Sequence, residues 1–338
     1  MSHHQTGKNG FILRVVLVAL VLSLPASAGS KETAGPLSLR LSPCDVSLLG
    51  KGSFRNFQIP ELEPVTEYGS FFGLKITLKI QGGWNTFTGS DIKTGIDGMY
   101  DSGAAAIYAS GVPIIENDMN TTRGGIEAGG DLIYALTPRL GIGVGMAKAS
   151  AWDDSHLLFT VETIMDPGTF HSSPHVSVTT LRAGLFYSWP FAPSLAISLR
   201  AGTAYYSAEY TCSLGCNTGF LKDGIIYASY LQNARAKQLG FEGGLGFEFN
   251  PNPFVAVFIE VQGRSAKIHN LEGEESSAFF QDNRLQESTA SGPVYFIGTI
   301  PTPKLDIIPS NEAVPDDAHS ATLDFSGFTY LVGLKFRL

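Results

Sequence analysis

Residues 239–264 read LGFEGGLGFEFNPNPFVAVFIEVQGR. Leu239, Phe241, Leu245, Phe247 and Phe249 alternate with Gly240, Glu242, Gly244, Gly246 and Glu248. After Asn250-Pro251-Asn252-Pro253, Val255, Val257, Ile259 and Val261 alternate with Ala256, Phe258, Glu260 and Gln262. Period-two alternation predicts strands with one apolar and one polar face. The two prolines forbid a helix and predict a tight turn. The pair is therefore read as a β-hairpin, each arm longer than the usual five or six residues. A continuous apolar face opposite a charged, glycine-rich one suits a strand with lipid on one side and a narrow polar lumen on the other.

The same pattern recurs along the chain. A first strand is predicted over Phe72–Phe87, with Leu74, Ile76, Leu78 and Ile80 on one face and Lys75, Thr77, Lys79 and Gln81 on the other. Lysines on a lipid face would cost about 2–4 kcal/mol each at mid-bilayer, so these are expected to point inward. The second strand, Thr122–Leu136, puts Ile126, Leu132 and Tyr134 outward and Glu127 and Asp131 inward. The third, Leu140–Ala151, sets Gly141, Gly143 and Gly145 inward. Met146 stands where a dinucleotide fingerprint would have its third glycine, so that reading is rejected. The fourth, Pro174–Ser188, has Arg182 inward, and the fifth, Leu195–Tyr210, has Ser198, Arg200 and Tyr206 inward. The hairpin supplies strands six and seven, and Ala321–Leu338 the eighth, with Lys335 and Arg337 on its polar face.

Connections between these strands alternate long and short. Thr88–Thr121, Asp153–Ser173, Thr211–Ala234 and Lys267–Ser320 are read as long loops; Thr137–Arg139, Trp189–Ser194 and Asn250–Pro253 as short turns. An antiparallel transmembrane β-barrel alternates in this way, with short periplasmic turns and long extracellular loops. Eight strands is the primary count. Strand-like composition at Gly224–Leu231 and Leu157–Ile164 leaves either ten strands or extensions beyond the bilayer.

Composition agrees with an envelope protein. The 338 residues are 16% charged and 43% hydrophobic, with 38 glycines and no G-X-Y repeat. Residues 1–28 resemble a secretory signal: Lys8 and Arg14, an apolar core over Val15–Leu24, then Ala26-Ser27-Ala28. Its removal would take the net charge from −8 to about −10, which argues against a nucleic-acid partner. Residues 29–71, interrupted by four prolines, are read as an irregular periplasmic segment that dangles or plugs the barrel mouth, and 72–338 as the barrel. Cys212 and Cys216 are expected to close a small disulfide ring in a polar loop, with Cys44 free. No nearby histidine or further cysteine completes a zinc site, and no cofactor or metal site is expected.

From Phe72 to Leu338 the pattern resembles the small outer-membrane β-barrels of Gram-negative bacteria, the OmpA-transmembrane, OmpW and opacity-protein type. That resemblance implies outer-membrane localisation, contact with lipid and lipopolysaccharide, and folding by the barrel-assembly machinery. It also implies a C-terminal assembly signal, here Gly333, Phe336 and Leu338. Leu338 replaces the usual terminal aromatic, and Leu331 stands where the signal prefers a polar residue.

The predicted lumen charge network is Lys75, Lys79, Glu127, Asp131, Arg182, Arg200, Glu242, Glu248, Glu260, Arg264, Lys335 and Arg337. An eight-stranded interior is just wide enough for side chains to fill, and charges of both signs satisfy one another there. A filled or narrow polar lumen with a structural or surface-interaction role is therefore favoured over a channel for small solutes, and no enzyme activity is expected. Lys148 and Arg235 are candidates for lipopolysaccharide phosphates. Two further readings compete with this one. His175 and Ser177, with Glu162 as an arbitrary third member, resemble the exterior triad of a lipid A hydrolase only loosely. A soluble periplasmic ligand-binding barrel would bury the apolar faces inside.

Overall fold

The computed structural model describes residues 75–338 apart from 87–88, 110, 119–123, 161–166, 222–223, 282–283 and 299–301. These lie in the compact unit Thr66–Leu338. The expected signal peptide, the segment 29–71 and Cys44 fall outside them.

In chain order the elements are β1 (Ile76–Thr86), α1 (Ser90–Ala109), β2 (Ile114–Asp118), β3 (Gly124–Ala135), β4 (Leu140–Trp152), β5 (Ser155–Phe159), β6 (Gly168–Ala192), β7 (Leu195–Leu221), β8 (Gly224–Phe249), β9 (Val255–Ser265), β10 (Lys267–Ile268), β11 (Glu272–Gln281), β12 (Arg284–Ile297), β13 (Lys304–Ile307), β14 (Ala318–Ser320), β15 (Leu323–Asp324) and β16 (Gly327–Arg337). Antiparallel ladders join β1, β3, β4, β6, β7, β8 and β9 in that order, then β16, which pairs back onto β1 from Thr77↔Arg337 to Asn85↔Thr329. The protein is thus a closed eight-stranded antiparallel barrel, and closure leaves that ring no unpaired edge.

At one end the connections are tight. Thr137 Oγ1 accepts from the backbone N–H of Leu140, and Asn252 Oδ1 from those of Phe254 and Val255. Side-chain acceptors of this kind fix turns locally. The expected turn at Trp189–Ser194 is shorter than read, because β6 continues to Ala192. At the other end the described residues of the long connections are mostly strand and helix. β6, β7 and β8 run for 25, 27 and 26 residues, and their outer halves carry a second sheet in the order β2–β5–β6–β7–β8–β11–β12–β13. Gly224–Leu231 belongs to the extended β8, so the ring stays at eight.

The segment Thr88–Thr121, expected to be a loop, contains α1. Ile92, Ile96, Tyr100 and Ala104 recur at four-residue spacing and are buried, which gives the helix one apolar stripe. Glycines that suggest a loop in sequence are close-packing positions instead. A Cβ on Gly98 would fall 2.0 Å from the Pro303 carbonyl oxygen, and one on Gly103 2.3 Å from the Phe170 ring. Gly111, at φ +76°, follows the helix in the left-handed conformation that ends many helices.

Radial polarity reverses along the barrel. Near the tight turns the outward side chains are apolar: Phe241 is 69% exposed, Leu239 68% and Val144 60%. One outward row joins Met146, Leu181, Tyr205 and Leu239 across β4, β6, β7 and β8. Two residues further along, the row is Lys148, Thr179, Ser207 and Lys237. Beyond that row the interior is apolar. Ala149, Val178, Ala208 and Ala236 pack with Ile92 and Ile96 of α1, Leu305, Leu323 and Phe325.

Candidate functional site

The barrel interior concentrates the chain's chemistry. Ten charged side chains are buried there, five cations (Lys79, Arg182, Arg200, Arg264, Lys335) and five carboxylates (Glu127, Asp131, Glu242, Glu248, Glu260). Strand alternation places them: each sits on the inward face of a ring strand, and all but Arg264 lie next to an exposed apolar residue.

They form one connected layer. Lys79 Nζ donates to Glu260 at 2.6 Å and lies 3.8 Å from Asp131. Arg182 Nε donates to Asp131 at 2.7 Å, with Glu127 and Glu242 each 4.0 Å from the guanidinium. Arg200 pairs with Glu242, which also accepts from Gln262 at 2.7 Å. Lys335 pairs with Glu248. Phe258 stands among them, with Lys79 Nζ 4.6 Å and Lys335 Nζ 5.5 Å from its ring centre. Equal numbers of opposite charges in mutual reach are what a buried ionic layer needs, because an unpaired charge there costs several kcal/mol.

Arg264 joins this layer to the apolar packing above. It donates to Glu127 (2.9 Å), Thr329 (2.8 Å) and the Phe325 carbonyl (2.8 Å), and its guanidinium lies 3.7 Å from the Phe325 ring. Phe325 in turn meets Tyr206 edge to face at 5.8 Å. Above this contact α1 fills the barrel. Asp91 in its first turn accepts from the Thr322 backbone N–H (3.0 Å) and hydroxyl (2.7 Å), and His319 Nε2 lies 3.3 Å away.

At the tight-turn end the interior opens into a cavity of about 410 Å³ that reaches inward to Arg200, Glu248, Glu260 and Lys335. Two members of the predicted network sit at its rim. Lys75 is exposed and, among the described residues, joins no ion pair, because it precedes the point where β1 enters the ring. Arg337 is partly buried and donates to Asn250 Oδ1 at 2.7 Å and the Pro253 carbonyl at 3.2 Å. Gln81 and Gln262, read on the polar faces, are buried in the lumen; sequence reasoning missed Asn85 and Thr329, also buried there, which their inward parity alone could have found.

The expected Cys212–Cys216 disulfide is not formed; both thiols are free. They lie four residues apart on β7, and extended backbone separates them by about 13 Å, whereas a disulfide needs Cα atoms within about 7 Å. The loop expected there is strand. Cys212 is fully buried, and burial pushes its thiol up to about 11.

The loosely matched hydrolase residues do not assemble. His175 is exposed and Ser177 buried on the outer face of β6, no hydrogen bond joins them among the described residues, and Glu162 falls outside those residues. No group of metal-ligating side chains occurs among the described residues. Lys148 and Arg235 are both exposed, and Arg235 pairs with Glu209 at 2.6 Å. In the predicted assembly signal, Phe336 lies opposite Leu78 and Val255. Gly333 has a packing reason of its own: a Cβ there would fall 2.0 Å from the Ile80 carbonyl oxygen and 2.7 Å from the Phe258 ring.

No family model matches the chain, and no curated protein matches it. Among solved structures it is similar to the crystal structure of Acinetobacter baumannii CarO, at 14% identity and a TM-score of 0.25, over 62% of this chain and 92% of that one. It is also similar to Acinetobacter baumannii CarO2, at 16% identity and a TM-score of 0.27, over 67% of this chain and 99% of that one.

Proposed function

We propose that this chain is an outer-membrane β-barrel with a closed lumen, not an enzyme, which anchors its loop-end sheet at the cell surface for contact with the surroundings. The observation that carries this reading is the step from the Met146–Leu181–Tyr205–Leu239 row to the Lys148–Thr179–Ser207–Lys237 row. Exposed apolar residues encircle the ring below that step, and water-soluble packing begins above it. A bilayer explains both, since its hydrocarbon favours apolar side chains and its boundary favours lysine. The soluble ligand-binding alternative requires the apolar faces inside, where the charges are.

Lys148, Lys237 and Arg235 at the step are the proposed contacts for lipopolysaccharide phosphates. Two successive closures, the ionic layer and the apolar packing of α1, favour a non-conducting barrel over a small-solute channel. Carbonate-washed envelopes and a denaturing gel test the location: folded protein stays in the outer membrane and shifts in mobility only after boiling. A soluble, unshifted protein overturns the proposal. Planar-bilayer recording tests closure, with conductance at the lipid baseline expected and stable ion-selective steps favouring the channel.

A further inference from the structure

The lumen's charges balance in the buried layer but not in the cavity at the tight-turn end. Five cations face that cavity, Lys75, Arg139, Arg200, Lys335 and Arg337, against two carboxylates, Glu248 and Glu260. Both carboxylates are engaged, Glu248 by Lys335 and Glu260 by Lys79. Arg200 is more than nine-tenths buried, and its Nη1 has no hydrogen-bond partner; the nearest carboxylate oxygens are 3.7 and 3.8 Å away. At the mouth, Lys75 and Arg139 are exposed and form no ion pair among the described residues. A concave site with surplus positive charge concentrates anions.

The walls narrow the class of anion. Ile133 and Phe186 line the cavity beside the cations. Their seats are made by the glycine run of β4. A Cβ on Gly141 would fall 2.9 Å from Ile133 Cγ2, and one on Gly143 2.7 Å from Phe186 Cε2. The glycines let both apolar side chains lie flat against β4 and keep the cavity open. About 410 Å³ exceeds what an inorganic ion fills and falls within the range of small-molecule sites. We propose that this cavity binds a small organic carboxylate from the tight-turn side, its anionic group held by Arg200, Lys75 and Arg139 and its apolar part lying on Ile133 and Phe186. The inference depends on the barrel's interior and not on the membrane that surrounds it.

The test uses the purified full chain in neutral detergent micelles, with 3-fluorobenzoate as probe, followed by ¹⁹F line broadening at neutral pH. Saturable binding is expected. Lys75→Gln/Arg139→Gln should weaken it about tenfold and flatten its salt dependence. Lys267→Gln, exposed on β10 beyond the end of β9 remote from the cavity, should leave it unchanged. Because Lys75 and Arg139 are exposed, the double variant keeps the buried layer, and its heat-modifiability verifies its fold. The uncharged analogue 3-fluorobenzamide should not bind. Equal binding of the amide, unchanged affinity in the double variant, or no saturation up to ~10 mM overturns the proposal.

Discussion

Replacing Asp131 by Asn tests whether the buried charges hold one another or are merely hydrated. The Asp131 side chain is 0% exposed. It accepts from Arg182 Nε at 2.7 Å and lies 3.8 Å from both Lys79 Nζ and Arg200 Nη1. The substitution keeps shape and one acceptor but leaves five buried cations facing four carboxylates. Removing one partner of a buried pair costs about 3–5 kcal/mol. Glu127 and Glu242, each 4.0 Å from the Arg182 guanidinium, offset part of that, so the expected loss is near the lower bound, about 3 kcal/mol. Glu209→Gln breaks the exposed Arg235 pair and should cost only about 0.2–1 kcal/mol. Urea unfolding in lipid vesicles, read by tryptophan fluorescence, separates the two. At a slope of about 1–3 kcal/mol per molar urea, Asp131→Asn should lower the midpoint by about 1–3 M, and Glu209→Gln by well under half of that. Adding Arg182→Gln to Asp131→Asn should cost less than the sum of the single losses. If Asp131→Asn costs no more than Glu209→Gln, the layer is solvated and does not close the lumen.

Three further outcomes follow from the packing. Gly98→Val forces a side chain into the Pro303 backbone; overpacking of about 1–3 kcal/mol should make the loop-end sheet protease-sensitive while the boiling-dependent gel shift persists, and unchanged protease resistance would contradict the helix docking. Gly333→Ala, at the β1–β16 seam, should lower the temperature at which that shift occurs, because its Cβ would meet both the Ile80 carbonyl and Phe258; an unshifted transition would refute the seam packing. Cys212, buried with its thiol pushed up to about 11, should hold about one thiolate per thousand molecules at pH 8. A maleimide should therefore label it only after unfolding, and reductant should not alter the mobility of the denatured chain.

The ring was legible because its strands carry two signals at once. In Leu239–Phe249 apolar and polar residues alternate with a single break at Gly243, so parity assigns Glu242 and Glu248 to the inside before any partner is known. Pairing was not legible: nothing local to Arg264 points to Glu127, 137 residues away, because closure of the ring makes that contact. The loop end failed for a different reason. On β7 the residues Ser207–Cys216 put hydroxyls outward and Ala208, Tyr210 and Cys212 inward, and Gly215 breaks the outward pattern. Short, mixed stretches of this kind read as loop. α1 was hidden because its glycines at 95, 98 and 103 serve packing against β13, the segment before it and β6, and single-sequence propensity counts them against a helix.

The reversal of polarity also explains why the barrel strands are so long. Below the Lys148–Lys237 row the buried charges are matched five to five, and under the proposed membrane location lipid satisfies the exterior. Above that row, Ile92, Leu305, Leu323 and Phe325 are buried, and hydrophobic burial drives packing only where water lies outside. On that proposal the same strands cross from one solvent to another, and their register carries the lower half's geometry directly into the upper. Arg264 is placed at that crossing, with its guanidinium bonded to Glu127 below and stacked on Phe325 above. A change in the loop-end packing is thereby mechanically continuous with the ionic layer. On the proposed closed-lumen reading, opening requires separating both, and neither closure alone sets the conductance.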